Sequence, residues 1–150
     1  MNPVVIVVVA VVVLLALLGG LYWFLFLRGE GGGGKGPLKT STINGVKVDV
    51  MKLGDGATAK NGSTVHVNYT GKLTSGKVFD SSDGKGKPLS FKLGTGRVIK
   101  GWELGLDGMK VGEKRVLTIP PNLAYGTAGK ANVIPPDSTL IFDVELVKVE

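Results

Sequence analysis

"LGTGRVIKGWELGLDGMK", residues 93–110, is the only stretch after residue 42 whose apolar residues follow a helical period. Ile99, Trp102, Leu106 and Met109 recur with the spacing of one helix face. Three glycines interrupt this face, so we predict a short helix. The turn before it is rich in glycine, and such a turn either binds a phosphate group or borders an apolar pocket.

The residues of this turn do not fit a phosphate-binding motif. A dinucleotide-binding turn needs a glycine where Ile99 stands, and a P-loop needs Ser or Thr after its lysine, where Lys100 is followed by Gly101. The flanking segments also alternate like antiparallel strands, whereas both motifs belong to parallel β-α-β units. We therefore reject nucleotide binding and interpret the turn as the edge of a pocket.

The remainder of residues 43–150 has a period of two that is broken by glycine, which is typical of strands with one buried and one solvated face. Five segments follow it: "GVKVDVMKLG", "STVHVNYTGKL", "PLSFKLG", "RVLTIP" and "TLIFDVELVKVE". We predict an α+β fold in which a five-stranded antiparallel sheet wraps around one short α-helix. The proline-rich stretch at 120–138 has no period but contains Tyr125 and Ile134, so it either packs over the core or covers a ligand pocket.

Residues 4–27 are apolar and uncharged, and as a helix they would extend about 36 Å, enough to cross a hydrocarbon layer of about 30 Å. We predict a single transmembrane anchor at 1–28. The alternative is a cleaved signal peptide, but no basic residue precedes the run, the run is too long, and no small-x-small site follows it. A buried core helix is not expected to be apolar on every face and followed by a linker.

The basic residues nearest this segment all follow it, and they are Arg28, Lys35 and Lys39. By the positive-inside rule they predict that the C-terminal part lies on the cytoplasmic side of the membrane. Residues 29–42 are rich in glycine and predict a flexible linker. The predicted organisation is therefore a single-pass anchor, a linker, and one folded domain at 43–150.

Composition excludes several classes of function. The net charge is +6, but the lysines are scattered and not interleaved with aromatic residues, so we do not expect nucleic-acid binding. A solvated basic surface or a mild attraction to anionic lipids remain as alternatives. The chain has no cysteine and one histidine, His66, which falls on the outer face of its strand. We find no nucleophile with its base and no metal-ligand spacing, and we expect no metal and no cofactor.

Four motifs identify a known family. "VNYTGKLTSGKVFDSS", "LGTGRVIKGWELGLDGMKVGEKRVLTIPP", "LAYG" and "VIPPDSTLIFDVELVKV" together resemble an FKBP-type peptidyl-prolyl cis-trans isomerase. The resemblance extends colinearly over 43–150 and does not include residues 1–42. It implies the fold predicted above and a pocket that receives a proline ring.

The resemblance also implies the residues of that pocket. Trp102 would form its floor, and the Ile99 N–H and the Tyr125 hydroxyl would bind carbonyl groups of the peptide. Leu89, Arg97 and Lys130 depart from the commonest family pattern, which affects substrate preference. The implied catalytic residues are Tyr69, Phe79, Asp80, Trp102, Tyr125 and Phe142, and the implied substrate-binding residues are Leu89, Phe91, Arg97, Val98, Ile99, Val133 and Ile134.

Isomerisation of an X-Pro bond breaks no covalent bond, so it requires no acid, base or nucleophile, and the sequence lacks an obvious set of these. We expect a monomeric prolyl isomerase (rotamase) that acts on proline-containing peptides or proteins near a membrane. The resemblance implies binding of the macrolides tacrolimus and rapamycin. The alternative function is a membrane-tethered module that binds a peptide or partner in the same pocket with little turnover.

Overall fold

A computed structural model describes residues 36–150. The predicted anchor and the first part of the predicted linker lie outside these residues. No helix in the described part is long and apolar enough to cross a membrane. The elements are β1 (Lys39–Ile43), β2 (Val46–Lys52), β3 (Thr64–Leu73), β4 (Val78–Ser81), β5 (Leu89–Lys92), α1 (Lys100–Leu106), β6 (Lys114–Ile119) and β7 (Leu140–Val149), with short 3₁₀ turns at Asp83–Lys85 and Pro121–Leu123.

The strands form one sheet in the order β1-β2-β6-β7-β3-β4, and every pairing in it is antiparallel. Strand β5 pairs with the first half of β3, through Thr64 to Val67, while β4 pairs with the second half. The antiparallel sheet and the single short helix agree with the prediction. The predicted number of strands is wrong, because the structure has seven strands in this sheet and not five.

The two additional strands lack the alternation that predicts a half-buried strand. Most of β1 is exposed, and β4 is only four residues long. Strand β1 pairs with β2 along its whole length, from Lys39 opposite Val50 to Ile43 opposite Val46. Residues 39–42 therefore belong to the sheet, and the folded domain begins before residue 43, so the linker predicted at 29–42 is too long at its C-terminal end.

The core lies between the helix and the inner face of the sheet. One alternating face of β2 and one of β7 are at most 7% exposed, and these faces consist of Val46, Val48, Val50, Leu140, Phe142, Val144 and Leu146. Trp102, Leu106 and Met109 are also buried, although α1 ends at Leu106 and Met109 follows it. The period of two in "PLSFKLG" places Leu89 on the same face as Phe91 and Leu93, but only the latter two are buried, because Leu89 is 37% exposed at the start of β5.

Two glycines bring the helix close to the sheet. A Cβ atom added at Gly101 would overlap the Ile119 side chain, and one at Gly105 would lie 2.7 Å from Leu117 Cδ1. Both contacts are with β6, so the backbone of α1 lies directly on this strand. The glycines that shorten the helix in the sequence are therefore also the residues that allow it to pack.

Candidate active site

A cavity of about 680 Å³ opens between the helix, the sheet and the proline-rich loop. This volume is within the range of about 300–1,000 Å³ that is usual for small-ligand sites. All the site residues predicted from the sequence line it, with the exception of Phe91. The lining comprises Tyr69, Phe79, Asp80, Lys85, Leu89, Arg97, Val98, Ile99, Trp102, Ala124, Tyr125, Lys130, Val133, Ile134 and Phe142.

Aromatic rings form the deep part of the cavity. Trp102 is 3% exposed. The centre of its ring lies 5.0 Å from that of Tyr69 and 5.2 Å from that of Phe142, and both pairs are edge to face. Phe79 meets Phe142 edge to face at 5.6 Å. Edge-to-face pairs are favourable because the positive edge of one ring faces the negative face of another. Phe91 packs against Trp102 at 5.9 Å without lining the cavity, so it supports the floor and does not reach a ligand there.

Gly71 on β3 makes room for these rings. A Cβ atom at this position would lie 2.7 Å from Phe142 Cε1 and 2.7 Å from Phe79 Cζ. Both rings therefore lie directly on the Gly71 backbone. Alternation along the strand predicts the face of Gly71 but not this close approach.

One wall of the cavity is polar. The Tyr69 hydroxyl donates to Asp80 Oδ2 at 2.6 Å, and Lys85 Nζ donates to Asp80 Oδ1 at 2.8 Å and to Tyr69 Oη at 3.0 Å. Partial burial alone would raise the pKa of Asp80, but the hydrogen bonds from Lys85 and Tyr69 hold this pKa below its usual range. Burial and the hydrogen bond to Asp80 raise the pKa of Tyr69. At neutral pH the wall therefore holds a carboxylate, an ammonium group and a neutral phenol, and Asp80 is not a proton donor.

Ser82 fixes the backbone of Tyr69. Its hydroxyl accepts a hydrogen bond from the Tyr69 N–H at 2.9 Å, and its own N–H donates to the Tyr69 carbonyl at 2.9 Å. Tyr69 lies in the gap where β3 changes its partner from β5 to β4. The buried serine thus supplies the backbone partner that neither strand provides. The sequence prediction missed Ser82, as well as Lys85 on the polar wall and Ala124.

The glycine turn before α1 has the left-handed backbone that favours glycine, with φ of 83° at Gly94 and 73° at Gly96. The Gly96 N–H donates to Glu103 Oε1 at 2.7 Å, so a carboxylate of the protein itself takes the donor that a phosphate would need. This contact supports the rejection of a phosphate site. Val98 and Ile99 follow the turn and line the cavity. The Ile99 N–H has no acceptor within residues 36–150, so it is available to a ligand.

The proline-rich loop forms the opposite wall. Lys130 and Ile134 pair through two backbone hydrogen bonds of 2.8 Å, which close a tight hairpin. Ile134 is 4% exposed and belongs to the core, whereas Tyr125 and Val133 are 36% and 38% exposed. The loop therefore both packs on the core and borders the cavity. The Tyr125 hydroxyl makes no hydrogen bond to any other described residue.

His66 does not line this cavity and lies 3.7 Å from the Glu150 carboxylate. Across residues 36–150, no group of three or more metal-binding side chains is close enough to hold an ion. The geometry thus offers an aromatic floor, one charge-compensated polar wall and several donors without an acceptor in the described residues, among them the Ile99 N–H, the Tyr125 hydroxyl and the buried Trp102 Nε1. It offers no activated nucleophile.

A family profile described as FKBP-type peptidyl-prolyl cis-trans isomerase matches residues 56–147. The chain belongs to the FKBP family. FK506-binding protein 2 of Yarrowia lipolytica is 64% identical over 92 residues, which are 61% of this chain and 64% of that protein. FK506-binding protein 4 of Aspergillus fumigatus is 53% identical over 115 residues, covering 77% of this chain but 23% of the relative.

Solved FKBP structures have the same fold. The crystal structure of AtFKBP13 is 41% identical and superposes with a TM-score of 0.69, covering 75% of this chain and 99% of that one. FkpA from Escherichia coli is 46% identical with a TM-score of 0.69, covering 83% of this chain and 56% of that one. The chain thus spans about two thirds of the Yarrowia relative and about a quarter of the Aspergillus relative. The family assignment confirms the resemblance stated from the sequence motifs.

Proposed function

We propose that the protein is a peptidyl-prolyl cis-trans isomerase that acts on X-Pro bonds of peptides and proteins near a membrane. The observation that carries this proposal is the aromatic cavity around Trp102, whose donors include the Ile99 N–H and the Tyr125 hydroxyl, both without an acceptor in residues 36–150. Membership of the FKBP family supports the same activity.

The cavity suits this reaction because of what happens to the amide at the transition state. The barrier to rotation is about 18–20 kcal/mol and arises from amide resonance, which places partial charges on the oxygen and nitrogen. The twisted amide loses this charge separation, so it transfers into an apolar site more readily than the planar amide does. Binding the twisted form more tightly than the planar form is what accelerates the reaction.

The free donors and the polar wall would orient the peptide. Donation from the Ile99 N–H and the Tyr125 hydroxyl to peptide carbonyls would hold the chain on both sides of the proline while the bond between them rotates. Asp80 is compensated by Lys85 and holds Tyr69, so we assign it a positioning role in the wall. No proton has to move between the enzyme and the peptide.

Two further parts of the proposal concern ligands and location. Relatives named FK506-binding proteins support the binding of tacrolimus (FK506), and by resemblance rapamycin, in the same cavity.

The apolar segment at 4–27 supports a membrane anchor with the domain on the cytoplasmic side. Protease digestion of sealed vesicles would test this: a domain that is cleaved from the luminal or external face contradicts the proposed orientation.

Activity is tested with the full chain in detergent micelles and a proline-containing tetrapeptide. We expect acceleration by the wild type, a loss of tenfold or more in Trp102→Leu, and a smaller loss in Tyr125→Phe. Trp23→Leu is the matched control, because the chain has two tryptophans and Trp23 lies in the predicted anchor. Failure of the wild type to accelerate isomerisation would overturn the proposed enzyme.

Ligand binding is followed through fluorescence. In a Trp23→Phe chain the emission comes from Trp102 alone, and we expect tacrolimus to change its intensity or wavelength. Binding of peptides and macrolide without any acceleration would favour the second candidate function, a membrane-tethered binding module. The exposed position of Tyr125 and Val133 at the cavity mouth suits either role.

A further inference from the structure

The mouth of the cavity carries an uneven distribution of charge. Three cationic side chains line it, those of Lys85, Arg97 and Lys130, against a single carboxylate, that of Asp80. Lys85 and Asp80 are joined at 2.8 Å and so form a neutral pair. Arg97 and Lys130 remain as an excess of two positive charges at the mouth.

Neither of these two cations is neutralised by a carboxylate of the described residues. Both side chains are exposed, and neither forms an ion pair within residues 36–150. Glu103 is the carboxylate nearest to Arg97 along the chain, but its Oε1 binds the Gly96 N–H. Glu103 lines a separate depression with Lys100 and Asp107, and not the aromatic cavity.

The two cations also flank the donors that we expect to bind the peptide. Arg97 comes directly before Val98 and Ile99, whose side chains line the cavity. Lys130 Nζ lies 5.8 Å from the centre of the Tyr125 ring, and its backbone is held by the pairing with Ile134. A peptide held between Ile99 and Tyr125 would therefore pass both positive charges.

We propose that this site selects proline-containing segments in which Asp or Glu lies within two residues of the proline. The inference rests on the proposed function, because it assumes that the peptide binds in this cavity. An extended chain advances about 3.3–3.6 Å per residue, so we expect only the side chains within two residues of the proline to reach the mouth. Charges at such a rim act mainly on association and on the choice of partner, and salt screens them.

The test uses three tetrapeptides that differ only in the residue before proline, which is Glu, Gln or Lys. With the full chain in neutral detergent at low salt, we expect kcat/KM for the Glu peptide to exceed that for the Gln peptide by about three- to tenfold, with the Lys peptide lowest. The difference should shrink to less than twofold in 0.5 M NaCl. Equal values for the three peptides at low salt would overturn the inference.

The double variant Arg97→Glu/Lys130→Glu should reverse the preference toward the Lys peptide. Taking the ratio of two peptides within one variant cancels any general loss of active protein. The matched control is Lys39→Glu/Lys52→Glu, which changes the net charge equally at two exposed positions on β1 and β2. If the control shifts the ratio as far as Arg97→Glu/Lys130→Glu does, the effect comes from net charge and the proposal is contradicted.

The same peptides separate this inference from the proposed function. If the Gln peptide is not isomerised faster than in buffer, the proposed function fails. Binding of the three peptides is then measured through Trp102 emission in the Trp23→Phe chain, and an affinity order of Glu over Gln over Lys still supports selection. If the Gln peptide is isomerised and the three peptides give equal kcat/KM, the proposed function is supported and only the charge selection is contradicted.

Discussion

Tyr69 on β3 and Asp80 on β4 are eleven residues apart and are joined by a hydrogen bond of 2.6 Å from the phenol to the carboxylate. Lys85 closes a triangle with them, since its ammonium group donates to both. The triangle connects the floor of the cavity to its rim, because the Tyr69 ring also lies edge to face on Trp102. A substitution at the exposed Lys85 should therefore alter the position of the Tyr69 ring and, through it, that of Trp102.

Replacement of Lys85 by methionine should raise the pKa of Asp80. In the folded wild type this pKa lies below the ordinary value of 3.8, so the interaction stabilises the protein fully above about pH 4 and is lost as the pH falls through the lowered pKa. Without Lys85 the loss should begin at a higher pH, because the effect of burial is then opposed only by the hydrogen bonds from the Tyr69 hydroxyl and the Ser81 N–H. Carbon-13 NMR titration of the Asp80 carboxyl group measures it, with Lys52→Met as control, and an unchanged or lower pKa contradicts the prediction.

Substitution of Gly71 by alanine should damage the cavity more than the fold. The new methyl group would overlap both the Phe79 ring and the Phe142 ring, and overpacking of this kind typically costs about 1–3 kcal/mol. We expect kcat/KM to fall by tenfold or more, together with altered Trp102 fluorescence, since Phe142 packs on Trp102. Gly84→Ala is the control, because a Cβ atom there meets nothing within 4 Å. Equal activity of the two variants would show that the rings can move aside without loss.

The long strands could be predicted because one face of each is buried. Strands β3 and β7 alternate cleanly between buried and partly exposed residues over most of their length, so the period of two was visible in the sequence. Strand β1 has no such face, yet Asn44 and Gly45 joining it to β2 both have positive φ, as a two-residue hairpin requires. The Asn-Gly pair was the signal that could have revealed this strand.

The aromatic part of the site could be predicted from the family motifs, whereas its polar supports could not. Lys85 and Ser82 act through contacts with Tyr69 that depend on how β4 and the following turn fold back on β3. No period or spacing in one sequence carries this information. The family resemblance assigned Phe91 to substrate binding. In the structure Phe91 packs on the Trp102 ring and does not line the cavity.

Substitution of Gly101 by alanine should destabilise the domain through a direct overlap with Ile119. Alanine is the better helix former by about 1 kcal/mol, so a net loss would show that packing outweighs propensity. Ile119→Ala removes the obstructing atoms but leaves a cavity. The double variant should therefore lose less unfolding free energy than the two single variants lose together, by about 1 kcal/mol or more. Urea unfolding of the four proteins measures this, and strictly additive costs would contradict the close contact.

Arg115 and Glu113 form a buried ion pair that also holds the end of the helix. The guanidinium donates to Glu113 Oε1 at 2.6 Å and to the Gly105 carbonyl at 2.8 Å, while Glu113 Oε2 accepts the Lys110 N–H at 2.9 Å. Both side chains are at most 10% exposed. Removing one partner leaves the other charge buried without compensation, which typically costs about 3–5 kcal/mol.

We therefore expect Arg115→Met to lower the free energy of unfolding by about 3 kcal/mol or more, measured by urea denaturation. Glu113→Gln/Arg115→Met should recover part of this loss, because no charge is then left buried, although the Gly105 carbonyl still lacks its donor. Lys114→Met is the matched control, since its ion pair with Glu145 is half exposed and should contribute about 1 kcal/mol at most. Equal costs for Arg115→Met and Lys114→Met would mean that burial adds nothing to the pair. Because Trp102 lies on the helix that Arg115 holds, the destabilised variant should also lose activity before it unfolds.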